Sequence, residues 1–179
     1  YMLDNIKRKL PHTIDGLNPA RRSLLYGAML IFKQTNKEMK LEVFVNRVCT
    51  MTNYHHGASS LCGTAAGMAQ SFAGSNNIPF IYDDGNYGNR KMGGSDFASP
   101  RYTETHLNKR LVSQMFPDAD FSLLPQRYDE GEHVGPEYFI PIIPYVLLEN
   151  IHLPANAWSV NSFARDFKEV ISNIRDLIN

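Results

Sequence analysis

The 179 residues, 43% hydrophobic and 20% charged, describe a globular chain with core enough for one domain and part of a second, which excludes a disordered polyelectrolyte. No apolar run reaches the roughly 18 residues that a membrane-spanning helix needs and no signal-like leader is evident, so membrane insertion and secretion are not expected and the setting reads as intracellular. Net charge is zero, but residues 1–110 carry 14 Lys/Arg against 8 Asp/Glu (+6) and residues 111–179 carry 4 against 10 (−6), which makes the first part the candidate face for a polyanion.

Residues 1–10 read as a short helix stopped by Pro11, with Lys7, Arg8 and Lys9 in the last turn, where cations suit the helix dipole. Asn18 followed by Pro19 is an N-cap with proline at the first helical position. Ala20, Leu24, Leu25, Ala28, Met29 and Phe32 then share one apolar face, which leaves Arg21 and Arg22 pointing outward. A second amphipathic helix is expected over 37–52, with Leu41, Phe44, Val45, Val48 and Cys49 on one side. Residues 53–56 separate it from a third over 57–73, whose apolar positions include Leu61, Cys62, Ala65, Met68 and Phe72. Helix, tight turn, helix is the helix-turn-helix arrangement. The opposite face of the third helix, with Ser59, Ser60, Gly63, Thr64 and Gly67, is small and hydroxylic, so phosphates can approach it closely, and its N-terminal N–H groups suit an anion.

Cys49 and Cys62 both fall on apolar stripes and read as free buried thiols of a reducing compartment. His55 and His56 are neighbours that point apart, with no carboxylate close in sequence, so no metal site is expected.

Over 78–90, β-branched and aromatic residues alternate with Asp83-Asp84-Gly85 and Tyr87-Gly88, a hairpin signal that would supply the wing of a winged helix. A helix is expected over 104–115, carrying Tyr102 at its start and closed by Pro117. Short strands broken by proline and glycine fill 121–148, and a last amphipathic helix covers 166–178.

The chemistry concentrates in Gly93-Gly94-Ser95-Asp96-Phe97-Ala98-Ser99-Pro100-Arg101-Tyr102. A phenol titrates near ~10, so it attacks phosphorus only where a neighbouring cation stabilises the phenolate and the charge developing on the phosphoryl oxygens. Arg101 is such a cation.

This stretch, with Gly88 and Arg90 before it, closely resembles the active-tyrosine segment of type IIA DNA topoisomerases. Other blocks match the family in the same order: Asp15-Gly16-Leu17, Tyr54-His55-His56-Gly57, Met68-Ala69-Gln70, Gly74-Ser75-Asn76-Asn77, Ile140-Pro141-Ile142-Ile143-Pro144 and Trp158-Ser159. The Tyr-His-His-Gly block is nearer the eukaryotic and viral single-chain enzymes, whereas Arg101-Tyr102-Thr103-Glu104 is similar to the gyrase A protein of bacteria.

The resemblance implies an α+β, mainly helical fold: a winged-helix, CAP-like helix-turn-helix domain over 1–120 and the incomplete start of a tower-like β domain over 121–179. It implies that Tyr102 forms a transient 5′-phosphotyrosyl link during double-strand passage, that Arg101 holds the phosphate and that Arg8 and His56 assist. Arg22, with Arg21, His55, Ser59 and Asn18, would contact DNA; Asn18 stands where the family normally has lysine. Pro154 falls where the family inserts an isoleucine between base pairs, and proline is also a wedge in DNA-bending proteins. The family works as a homodimer on double-stranded DNA, with Mg2+ held by a toprim domain and ATP by an ATPase domain. This chain shows neither an Asp-x-Asp cluster nor a nucleotide-binding glycine loop. Two other readings stand beside it: a non-catalytic helix-turn-helix binding module, and a degenerate structural fragment of a topoisomerase.

Overall fold

The computed structural model describes residues 1–35 and 37–179. Helix α1 (Met2–Lys9) stops just short of Pro11, and α2 (Pro19–Lys33) starts at Asn18, whose side-chain oxygen accepts from the Arg21 N–H at 2.9 Å. Leu24, Leu25, Ala28 and Phe32 of α2 lie in the core, as their spacing requires. Helices α3 (Leu41–Met51) and α4 (Ala58–Ala69) pack against α2 and each other, with the Phe32 and Phe44 rings 5.7 Å apart. The fold is mixed helix and strand, as expected from the sequence.

Several local expectations are corrected. The two halves of 78–90 do not pair with each other: Ile81 bridges Leu107 and Asp84 bridges Glu104. Strand β2 (Glu104–Thr105) pairs antiparallel with β1 (Met39–Lys40), and Tyr102 therefore precedes a strand. Helix α5 begins later than expected (Lys109–Met115), once Asn108 caps it by accepting from the Leu111 N–H. The residues before Leu41 go to β1, and α4 ends at Ala69, after which the Gln70 backbone is extended.

A further correction concerns Arg22. Its helical position is outward only with respect to the helix-helix core; an additional layer covers it. Asp15, fully buried, receives the guanidinium in a two-point pair, Nε to Oδ2 at 2.7 Å and Nη2 to Oδ1 at 3.0 Å. Arg22 Nη2 also donates to the Leu17 carbonyl, and the remaining lone pairs of Asp15 accept from the Leu17 and Phe139 N–H groups. One carboxylate thus joins the loop before α2, α2 itself and a segment 124 residues downstream.

That downstream segment supplies the covering layer. Strands β3 (Gln126–Asp129) and β4 (Glu132–Pro136) form an antiparallel hairpin against α2, and the Phe139 ring lies near both Phe116 (5.2 Å) and Phe121 (5.6 Å). The core is therefore continuous across residue 120. Beyond it come a second hairpin, β5 (Ile151–Pro154) with β6 (Ser159–Ser162), and α6 (Phe167–Ile178), capped by Asp166. Among the described residues no helix is long and apolar enough to cross a membrane.

Removing one partner of a buried, hydrogen-bonded ion pair strands the other charge in the interior, at a cost of about 3–5 kcal/mol. Asp15→Ala is accordingly expected to lower unfolding free energy by that amount in urea titrations; a loss below about 1 kcal/mol would show that water reaches Arg22 and that the pair does not organise the fold.

Candidate active site

Helix α3 opens without a side-chain cap, so its first N–H groups need acceptors from elsewhere. They find them on either side of the tyrosine: the Leu41 N–H donates to Thr103 O at 3.0 Å and the Glu42 N–H to Pro100 O at 3.2 Å. Between these two fastenings Arg101 and Tyr102 form a turn closed by the Tyr102 N–H on Ser99 O at 2.8 Å. Both side chains are exposed, and Tyr102 is 72% accessible. A phenol beside a guanidinium is thus held at fixed backbone and open to a large substrate.

The loop leading to this turn is held by Gln70, buried at the end of α4. Its Nε2 donates to Tyr87 O and to Gly94 O, each at 2.9 Å. Gly94 has φ +77°, and a Cβ there would stand 2.1 Å from the Gln70 amide nitrogen, so glycine is needed on both counts. Asp96 accepts from the Asn89 N–H and side-chain amide, and Asn89 caps the short 3-10 turn Arg90–Met92. Tyr87 is buried and donates to Glu104 O at 2.8 Å; burial pushes its phenol up to about 12, which keeps it a neutral strut.

Arg8 and His56 do not join Tyr102 within one chain. They line a recess of about 230 Å³ with Tyr54, His55 and Arg127, beyond the C-terminal end of α3. The 11 residues of α3 put about 16 Å of helix between that recess and the tyrosine turn. Inside the recess the His56 ring meets Tyr54 edge to face at 5.5 Å, and Tyr54 feels the charge of Arg8 although burial is the larger influence and raises its phenol. His55 is bonded to Asp129 at 2.7 Å, so its ring faces β3. Arg127 escapes a sequence reading because it lies in the acidic half; burial, then the charge of Arg22, lowers its pKa.

Of the other expected contacts, Ser59 is exposed on the first turn of α4, and the oxygen of Asn18 is engaged in capping α2. Arg21 is half-buried on the side of α2 that faces the end of α4, and Arg22 is enclosed as described. Pro154 is exposed as the last residue of β5, on a hairpin that Asn5 holds by accepting from the Asn156 N–H at 3.0 Å. Along α4, a Cβ on Gly63 or Gly67 would meet nothing within 4 Å. No packing inside the chain requires glycine there, although each costs roughly 0.5–1 kcal/mol of helix stability relative to alanine.

The fold also gathers carboxylates that are far apart in sequence. Oxygens of Glu38, Asp84 and Glu104 come within 4.8 Å of one another beside β2, a hard donor set of the type magnesium takes. Lys40 already pairs with Glu104 at 2.6 Å and His106 with Glu38 at 3.5 Å, so the group is committed to cations of the chain itself and does not fit a resident metal.

The family model for the A chain type of DNA gyrase/topoisomerase IV matches residues 8–179. DNA topoisomerase 2 of African swine fever virus (isolate Pig/Kenya/KEN-50/1950) is 34% identical over 180 residues, covering all of this chain and 15% of that protein. DNA topoisomerase 2-alpha of Cricetulus griseus is 39% identical over 174 residues, covering 97% of this chain and 11% of the relative. A crystal structure of the Plasmodium falciparum topoisomerase II DNA-binding, cleavage and re-ligation domain superposes with a TM-score of 0.92 at 34% identity, over 98% of this chain and 24% of that one. The chain spans 11–15% of the length of these two curated relatives.

Gly94→Ala should impose roughly 1–2 kcal/mol of left-handed backbone strain and displace the Gln70 amide, losing about 1 kcal/mol for each of its two bonds. Limited proteolysis is expected to cut the 84–104 loop faster in the variant; unchanged cleavage and an unchanged melting temperature would remove Gln70 as the clamp.

Proposed function

Because the chain belongs to the DNA gyrase/topoisomerase IV family of breakage-reunion proteins, we propose that it forms the DNA-binding and DNA-cleaving part of a type II topoisomerase acting inside the cell, with Tyr102 as nucleophile. The observation that carries the reading is the exposed phenol-guanidinium turn fastened on both sides to the start of α3. Tyr102 Oη attacks the phosphorus of a backbone phosphodiester and the bond to the 3′-oxygen breaks. The phenolic proton passes to a base, the 3′-oxygen leaves as a hydroxyl, and a 5′-phosphotyrosyl ester keeps the bond energy for resealing. Such transfer asks mainly for in-line placement and charge stabilisation, which Arg101 supplies.

Residues 1–120 act in this reading as the winged-helix cleavage unit, with α3 and α4 as its helix-turn-helix and the segment between the bridged 80s and β2 as its wing; residues 121–179 begin the tower. The open space above Gly63 and Gly67, with Ser59 at the head of α4, supports close approach of a duplex to that helix. Arg22 is left out of the contact surface because Asp15 encloses it.

The separation of about 16 Å between Tyr102 and the Arg8-His56 recess supports a homodimer in which one phosphate draws Tyr102 and Arg101 from one copy and Arg8, His56 and Arg127 from the other. Magnesium, held by a toprim-type domain elsewhere in the full protein, neutralises phosphate charge when bound, and ATP is assigned to a separate ATPase region. Pro154, on its exposed hairpin, is the wedge that bends the duplex.

In the full-length enzyme incubated with supercoiled plasmid and magnesium, then denatured, protein-linked DNA is expected from the wild type and only background from Tyr102→Phe. Linked DNA persisting in Tyr102→Phe would remove the nucleophile. None in an active wild-type preparation would favour a binding module. Heterodimers carrying Tyr102→Phe in one copy and His56→Ala in the other should still nick one strand, since one complete shared site survives; their silence would place both residues' work within one copy. For the wedge, Pro154→Ala should reduce the bend of bound duplex measured by energy transfer between end labels, and an unchanged angle sinks that role.

A further inference from the structure

We propose that the recess between Arg21 and Arg90 is a second phosphate seat, one that grips uncleaved DNA backbone and steadies the tyrosine loop. The proposal rests on the DNA-cleavage reading above and adds a site to it. The recess, about 400 Å³, opens between the first turn of α2, the C-terminal end of α4 and the loop that carries Tyr102. Neither guanidinium forms an ion pair within 4.0 Å among the described residues, unlike Arg22 one position along. Two uncompensated guanidiniums facing one cavity repel each other unless an anion lies between them, and a guanidinium fork suits phosphate oxygens.

The walls are built rather than loose. Asn76 Nδ2 donates to Gly67 O and Gln70 O, fixing the chain after α4. Arg90 opens a 3-10 turn that Asn89 caps, with Gly93 closing it in the left-handed region. Glu149 also lines the recess, but its oxygens accept from the Asn77 and Ile78 N–H groups and it is only 3% exposed. Burial pushes its pKa up, so it offers little opposing charge.

Position gives the seat its purpose. The 12 residues of α4 span about 18 Å between this recess and the Arg8-His56 end. A duplex advances roughly 3.4 Å per base pair along each strand, so that span matches phosphates about five base pairs apart. Arg90 belongs to the same loop as Tyr102, and Gln70, which also lines the recess, bonds that loop at Tyr87 and Gly94. A phosphate held here would fix the loop from outside while Gln70 fixes it from within.

The test uses full-length enzyme and a duplex of about 30 base pairs in salt titrations, comparing wild type with Arg21→Gln, Arg90→Gln and the double variant. Each substitution should weaken binding several-fold and reduce the slope of log affinity against log salt by about one unit. A scan of single neutral methylphosphonates should find one position, some five nucleotides from the cleaved bond, that weakens wild type but leaves Arg90→Gln indifferent. Equal affinities and slopes for wild type and Arg90→Gln, an exposed residue whose loss leaves packing intact, would overturn the seat while leaving DNA binding standing. A wild type that fails to bind duplex at all would overturn the DNA reading and the seat with it.

Discussion

The two-point pair between Asp15 and Arg22 is the join on which the arrangement depends. A fully buried carboxylate is tolerable only if its lone pairs are filled, and the partners here come from different parts of the chain: two guanidinium nitrogens of α2, the Leu17 N–H and the Phe139 N–H. Its net worth against an apolar replacement is small, but its geometry is demanding. A layer of hairpin that failed to bring Phe139 to Asp15 would leave a buried charge short of donors. The pair therefore selects one way of laying the later residues over α2, which in turn sets where β3 carries Arg127 and Asp129 to the recess of Arg8 and His56.

A second set of unsatisfied groups does comparable work at the start of α3. That helix has no capping side chain, and its orphan N–H groups take their acceptors from Pro100 and Thr103. The reactive turn is thus the cap of a core helix, which gives an exposed tyrosine a fixed backbone without burying its hydroxyl. The same helix then keeps the tyrosine and the histidine recess apart by its own length. Fixing both groups to one rigid rod makes cooperation across two copies the natural way to complete a site.

Much of the local structure is legible in the residues. Asn18-Pro19 announces the start of α2, the three-four spacing of Leu61, Cys62, Ala65 and Met68 announces α4, and Asp166 with Phe167, Val170 and Ile174 announces α6. The active segment is legible as well, because Gly94, Pro100, Arg101 and Tyr102 lie close together and each has a steric or electrostatic reason visible in the residue itself. Pairings are not. Residues 78–90 carry the alternation of a hairpin, but their partners lie at 104–107, and nothing local to either stretch encodes that choice. Residues 104–108 lose their expected helix for the same reason, since β1 and the 80s both claim them.

Sequence by itself determined the kinds of element, the identity of the phenol-guanidinium couple and the presence of excess positive charge in the first 110 residues. Only the tertiary structure decided what each of those charges is for. Arg21 and Arg22 are neighbours with the same chemistry, yet one meets Asp15 in the interior and the other faces a cavity with Arg90, because a helix turns by about 100° per residue and the layers on its two sides come from distant parts of the chain; it is Arg22 that is enclosed and Arg21 that is left facing the recess. Charge is a property of a residue, whereas the partner that satisfies or exposes it is a property of packing, and packing is settled only when the whole chain has closed.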